Sequence, residues 1–415
     1  MIAEILREGR FAKLFAAQIV ALLGTGLLTV ALGLLAFDLT GGDAALILGT
    51  ALAIKMVAYV AGAPLVAALT ARVPRKTLLV SADCSRAAVA CLLPAVTEVW
   101  QIYVLILFLQ LASATFTPAY QAIIPQILPN EKHYTQALSL SRLAYDLESI
   151  ASPAIAALLL TATSHSSLFI GTVVGFVASA GLVATTSIPA ISTPTMQFVE
   201  RLTGGARIMW RTPQLRALLT LNLVVAAGTS LVVVTTVVLV QGVLARPPED
   251  VALLFAAYGI GSAAVALSAP RIVRAASDRT VFLAGGVAVP MTLVAIATVS
   301  AVAPTSWLAF LMLWLALGAA TSMILTPSAR LIRRFCDESI RPSVFVAQFS
   351  LTHACFLLTY PLVGAANTYF GFPIAAALMA GVAAAGCVVA FTSWPAQLGQ
   401  RANVSTAETE LTVAQ

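Results

Sequence analysis

Charged side chains are scarce in this chain: Asp, Glu, Lys and Arg make up 10% of 415 residues, against 60% hydrophobic ones. A soluble domain carries roughly 25% charged residues, so an ordinary water-soluble fold is excluded. Cysteine is sparse too. Cys84, Cys91, Cys336, Cys355 and Cys387 show no paired spacing, which argues against a disulfide or thiolate-metal framework and reads as buried small hydrophobes. Three histidines and no His-rich tract give poor support to a metal site. No Ser-His-Asp signature, zincin motif, haem site or Gly-x-x-x-x-Gly-Lys-Ser/Thr loop is visible, so the sequence predicts no enzyme, no cofactor and no ATP-driven step within this polypeptide. A cleavable leader is not expected either, because Met1–Lys13 is short, charged and runs straight into a long apolar segment.

What the chain has in quantity is apolar runs. Twelve reach the roughly 20 residues needed to cross a ~30 Å hydrocarbon core. They lie near 14–37, 44–70, 78–97, 100–125, 138–163, 167–187, 217–242, 250–270, 280–302, 304–327, 344–368 and 372–394. Of the 23 Lys and Arg, 19 then fall in the termini and alternate loops of one side. Arg246 lies in a loop of the opposite side, and Lys55, Arg86 and Arg142 lie within or at the edge of spans. This bias is the positive-inside pattern, and it places both termini in the cytoplasm. The net charge of +6 is spread over these loops, where anionic lipid headgroups rather than nucleic acid are the nearer partner.

The long connection 188–213 divides the chain into six spans and six spans. Pro189, Pro194 and Pro213 punctuate it, and Phe198, Leu202, Ala206, Met209 and Trp210 recur at near-helical spacing among Glu200, Arg201, Arg207 and Arg211. The pattern predicts a short amphipathic helix on the inner leaflet, the alternative being an unstructured tether. The halves echo one another: Thr117-Pro118 matches Thr326-Pro327, Ser141 falls opposite Ser350, Pro153 lies one residue out of step with Pro361, and Arg75-Lys76-Thr77 matches Asp278-Arg279-Thr280. Related halves predict an all-α membrane fold of twelve helices in two pseudo-symmetric six-helix bundles. The divisions are 1–187, a linker 188–213, 214–395 and a cytoplasmic tail 396–415. Such repeats place a substrate site at their interface near the midplane.

The segment Gly62-Ala-Pro-Leu-Val-Ala-Ala-Leu-Thr-Ala-Arg-Val-Pro-Arg-Lys-Thr77 resembles the loop between spans two and three of the major facilitator superfamily, and the resemblance extends from Phe11 to about Trp394. That loop usually reads Gly-x-x-x-Asp-Arg-x-Gly-Arg-Arg/Lys. Arg72, Arg75 and Lys76 match, whereas Ala67, Ala71 and Pro74 replace the glycine, aspartate and second glycine. The aspartate helps latch the closed state in the family, and nearby Asp83 is a candidate substitute. Asp83-Cys-Ser-Arg86 and Met209-Trp-Arg-Thr-Pro213 look like the bacterial exporter branch that includes enterobactin- and macrolide-efflux-type proteins. Proton-driven drug antiporters resemble Gly-x-x-x-Gly-Pro-x-x-Gly-Gly in span five; here Ser149-Ile-Ala-Ser152-Pro153-Ala-Ile-Ala156-Ala157 keeps the proline and small residues without the glycines. The resemblance implies a monomeric inner-membrane transporter that exchanges protons for an amphipathic organic compound by alternating access. Export of a siderophore or a nickel- or cobalt-like ion, uptake with protons, and a non-transporting receptor or assembly factor stay open.

Charges inside spans cost at least ~2.5–3.5 kcal/mol on insertion scales and each demands a reason. Lys55 lies ~16 Å from one end of its span and ~22 Å from the other at 1.5 Å per residue, too deep to reach either surface fully. It is either a cavity-facing cation that serves a substrate or a proton, or half of a fixed ion pair. Span five offers Arg142, Asp146 and Glu148. Arg142 and Asp146 share a helix face and are expected to pair. Glu148 points elsewhere, so Glu148 or Asp146 is the candidate coupling carboxylate with Lys55 as counter-charge. A cytoplasmic-end charge cluster is the alternative. Asp83 and Arg86 are expected near the cytoplasmic end of span three, pairing with each other or with the Arg72–Lys76 loop in one conformational state. On the helices that surround the superfamily's cavity lie Gln18, Thr25, Gln110, Asn222, Thr229 and Thr321; His353, of a type that titrates near neutral pH, lies in span eleven. Phe15, Tyr103, Phe116, Tyr258 and Trp314 are expected to make the cavity wall apolar and aromatic.

Overall fold

A computed structural model describes residues 5–62, 73–128, 166–188, 198–337 and 340–394, together with scattered positions between 130 and 164. Among these every regular element is helical. Ten stretches are long and apolar enough to cross a membrane. The first of them, Gly9–Val60, contains two helices, α1 (Gly9–Thr40) and α2 (Ala44–Val57), and the chain turns between them at Gly41. That glycine has φ +57°, a left-handed value that a side chain resists. Then come α3 (Arg75–Leu92), α4 (Val99–Ile127), α5 (Ser166–Ala184) and the short linker helix α6 (Phe198–Arg211). The remainder is α7 (Pro213–Val237), α8 (Pro248–Ala275), α9 (Asp278–Val302), α10 (Trp307–Phe335), α11 (Arg341–Phe370) and α12 (Phe372–Ser393). The predicted fifth span falls mainly outside the described residues, as do Arg72, Arg142, Asp146, Pro153 and the tail 396–415.

Local signals account for the helix starts. Pro213 and Pro248 open α7 and α8, where a missing backbone N–H costs nothing, and Glu98 and Gln101 form a reciprocal capping box at the start of α4. Gly371, at φ +84°, turns the chain from α11 into α12. By alternation of helix direction, the corners at 41–43, 93–98, 244–247, 303–306 and Gly371 share one side, hereafter the corner side. The linker helix lies on the other.

Packing repeats along the chain. α1 lies against α5, and α7 against α12; α3 contacts α4 and α5, and α9 contacts α10 and α12. Small residues bring backbones together at these crossings, as expected where lipid removes the hydrophobic drive between helices. Gly24 and Gly175 join α1 to α5, with Thr172 Oγ1 donating to the Gly24 carbonyl at 3.0 Å. Gly261 and Gly318 let α8 and α10 approach until each glycine faces a carbonyl of the other helix. The first-half and second-half helices meet chiefly along α2 and α11. There a Cβ on Gly49 would stand 2.5 Å from the Tyr360 carbonyl oxygen, and one on Gly364 would stand 2.5 Å from that of Ala45. Large apolar side chains such as Ile170, Leu267, Met291, Leu308 and Phe370 point outward. Rows of that kind are stable only against lipid.

α6 spans the predicted linker helix and packs on α7 and α11. Met209 is fully buried beneath it, whereas Trp210 is 63% exposed. The predicted apolar stripe therefore excludes Trp210, because one residue further rotates the side chain by ~100° and away from the helices below.

Candidate functional site

Lys55 sits on the last turn of α2, immediately before the helix widens into a π turn over Ala58–Gly62. Glu148 from the first half of the chain and His353 on α11 from the second lie within electrostatic range of Lys55. Three titratable groups distant in sequence are thus brought to one place. Asp146 and Arg142, the other two members of the predicted cluster, lie outside the described residues.

Beside Lys55 is a cavity of ≈ 20 Å³, lined by Thr25, Thr29, Leu52, Ile106 and Gln110 as well as Lys55 itself. A space of that size admits about one water. The threonines spend their hydroxyls on their own helix: Thr25 Oγ1 donates to Ala21 at 3.0 Å and Thr29 Oγ1 to Thr25 at 3.1 Å. Among the described residues, the polar groups left to face the cavity are Lys55 and Gln110.

His353 Nδ1–H donates to the Phe349 carbonyl at 2.7 Å. This bond selects the tautomer and leaves Nε2 as the acceptor nitrogen. The imidazole stacks on Tyr59 of the π turn, with ring centroids 5.4 Å apart, and meets Phe349 at 4.0 Å. α2 and α11 are therefore bridged twice, by glycine-mediated backbone contact toward the corner side and by this ring cluster further along.

The second half of the chain offers an uncharged counterpart. Tyr258 Oη lies 3.1 Å from Thr229 and 2.9 Å from Thr321, joining α7, α8 and α10. Thr229 and Tyr258 have the same spacing, within one residue, as Thr25 and Lys55. The tyrosine hydroxyl fills its site; Lys55 faces an opening. A second matched pair ties the helices nearby. Ser141 Oγ donates to Gln18 Oε1 at 3.0 Å, and the Asn222 and Gln348 amides exchange bonds at 3.1 and 3.0 Å. Gln18 and Asn222 are both buried and bonded helix to helix, unlike Gln110, which lines the opening.

Asp83 and Arg86 differ from expectation in position. They lie in the middle of α3, 0% and 4% exposed, not at its end beside the loop. The two pair with each other, Ser179 Oγ donates to Asp83 Oδ2 at 2.6 Å, and the guanidinium lies 4.6 Å from the Phe116 ring centroid and 4.4 Å from that of Phe176. The charge was drawn inward because α4 and α5 provide a hydroxyl and two π faces. Arg75 and Lys76, half-buried at the start of α3, are well separated from it along the helix. In the matching connection Asp278 binds Arg334 at 2.7 Å and Arg330 at 3.8 Å, both on α10.

Two predicted cavity aromatics are core residues instead. Phe116 packs on Arg86, and Trp314 is fully buried among Phe310 and Phe372 with its indole N–H donating to Thr236 at 3.1 Å. Ser179, Tyr59 and Gln348 escaped the sequence reading because nothing in a lone Ser, Tyr or Gln of an apolar helix signals its partner.

Residues 14–295 match the model of the major facilitator superfamily. The chain belongs to that superfamily of membrane transporters. This superfamily member is 26% identical over 219 residues to macrolide efflux protein A of Streptococcus pyogenes, an alignment that covers 51% of this chain and 53% of that protein. The match thus spans about half the length of that curated relative. Among solved structures it is similar to the nucleoside transporter NupG, with TM-score 0.71, 13% identity, and 94% of this chain and 100% of that one covered. It is also similar to a bacterial homologue of the human lysosomal transporter Spinster, described as inward-facing and unoccupied, with TM-score 0.68, 12% identity, and 93% and 95% covered. These two likenesses are of fold. The superfamily member is accordingly a multi-pass membrane protein.

Proposed function

We propose that this transporter exports an amphipathic organic compound across the bacterial inner membrane in exchange for protons, with Glu148 as the proton-binding group and Lys55 as its counter-charge. The carrying observation is the placement of Lys55 on a small cavity lined by helices of the first half, with Glu148 and His353, one from each half, within electrostatic range of it. In this reading the chain forms twelve spans in two bundles, 1–187 and 214–395, with both termini and the linker 188–213 in the cytoplasm. The bundles rock about the midplane, and the corner-side contacts of α2 with α11 are the extracellular gate, closed here.

The pair explains the sign of coupling. A proton on Glu148 cancels its charge and frees Lys55. A substrate carrying a cationic group competes with that proton for one carboxylate, so the two are carried in opposite directions. A substrate carrying an anionic group would instead take Lys55 when Glu148 is protonated, and would travel with the proton. The likeness to a macrolide exporter supports the first arrangement, and the apolar wall around the cavity suits an amphipathic body.

The test uses cells and inverted vesicles presented with a macrolide and a panel of amphipathic cations and anions under an imposed pH gradient. The expected result is gradient-driven movement of a cationic member of the panel, reduced about a hundredfold by Glu148→Gln and about tenfold by Lys55→Ala, as loss or misplacement of a reacting group does. Full gradient-driven transport by both variants would overturn the reading.

A further inference from the structure

The Glu148 carboxylate does not lie free in the bundle. It rests against α1 at Gly26: a Cβ built on that glycine would overlap Glu148 Oε1 and the Ser152 side chain, well inside van der Waals contact. Glu148 and Ser152 are four apart and both helical, hence on one helix face, and that face is seated directly on the Gly26 backbone. Ser152 is 0% exposed and its hydroxyl has no hydrogen-bond partner among the described residues.

We infer that Gly26 is a positioning residue: the missing side chain leaves a slot in α1 that seats the Glu148 carboxylate within range of Lys55. This rests on the reading of Lys55 and Glu148 as the coupling pair. Gly26 itself touches neither proton nor substrate. Its neighbours on α1 show that the slot is local, for Leu27 and Leu28 present full side chains to the core. Among the described residues, two titratable groups face the seated carboxylate or its partner from separate elements, Lys55 on α2 and His353 on α11. A methyl group at residue 26 would overlap the Ser152 Cβ as closely as its Oγ, and a Cβ cannot be turned aside by changing rotamer. The helix carrying Glu148 must therefore move off α1 and take the carboxylate away from Lys55.

The consequence can be read without knowing the substrate. Thermal unfolding of purified protein in lipid nanodiscs is measured for a double-mutant cycle of Lys55→Met and Glu148→Gln, first in the native background and then with Gly26→Ala. In the native background the two substitutions should be non-additive by on the order of 5 °C. With Gly26→Ala the non-additivity should vanish, and adding Ser152→Gly, which removes the Cβ overlap and leaves only the carboxylate tip of Glu148 to rotate aside, should restore it. Where Gly26→Ala alone does not fold, the Gly26→Ala/Ser152→Gly protein decides: a restored cycle supports the slot, and an additive cycle or an unfolded protein overturns it. Unchanged non-additivity in Gly26→Ala also overturns it. Additivity in the native background is a different result, which removes the Lys55–Glu148 pair itself and with it the proposed coupling.

Discussion

Arg86→Ala lowers the stability of this protein by about 3–5 kcal/mol, the usual cost of leaving one member of a buried ion pair behind. Asp83 is 0% exposed, and without the guanidinium only Ser179 would serve its carboxylate among the described residues. The substitution also empties the space between the Phe116 and Phe176 rings, which the guanidinium approaches to 4.6 and 4.4 Å. Asp83→Asn is milder, because an amide still accepts from Ser179 and Arg86 keeps both π faces. Replacing both charges by apolar residues of similar size, as in Asp83→Leu/Arg86→Met, recovers most of the loss, since no charge is then stranded. Thermal unfolding in detergent, followed by tryptophan fluorescence, ranks the three proteins. An Arg86→Ala protein as stable as its parent would show that the pair contributes nothing.

The second large effect is conformational. Gly364→Val places a branched side chain against the Ala45 carbonyl, where even a single Cβ would stand 2.5 Å from oxygen. A backbone carbonyl has no rotamer by which to withdraw, so α2 and α11 must part. Overpacking of this kind costs about 1–3 kcal/mol, and imposed on one of two states it shifts their ratio roughly 5- to 150-fold. Gly49→Val, against the Tyr360 carbonyl, has the same effect from the other helix. Spin labels at Gly42 and Val243, both exposed on the corner side, report the change as a longer distance distribution by pulsed electron resonance. A folded Gly364→Val protein with the native distribution would show that this crossing does not gate the corner side.

The sequence was most legible where one physical effect dominates. Scarcity of charge, apolar run length and the basic bias need only the bilayer as solvent, and helices α1, α3 to α5 and α7 to α12 lie where the runs predict, within several residues, as does the start of α2. The linker helix was legible by its periodicity. Lys55 was legible as well, since an ammonium this deep stands out against an apolar helix. Its surroundings were not. Glu148 was one of two carboxylates read as its partner, and which one comes within range depends on the rotation of one helix against another. Nothing local records that rotation.

Asp83 and Arg86 show the same limit from the opposite direction. Their spacing made a pair legible, but the loop resemblance drew the expected location toward a helix end, whereas Ser179, Phe116 and Phe176 hold the pair at the centre of α3. Trp314, expected on a cavity wall, fills a core because Thr236 on α7 accepts its indole N–H. Hydrophobicity is additive along a chain and can be summed from residue types. Pairing is not, because it depends on which faces meet, and here glycines set that: Gly49 and Gly364 draw α2 to α11, and Gly26 admits the carboxylate of Glu148. Residue order alone was enough to place this chain in a membrane, to lay out most of its described helices and to set Lys55 deep within one of them. That Glu148 and His353 come within electrostatic range of Lys55 emerges only on folding, since their approach requires three helices to close around side chains whose absence, at glycine, carries no signal of its own.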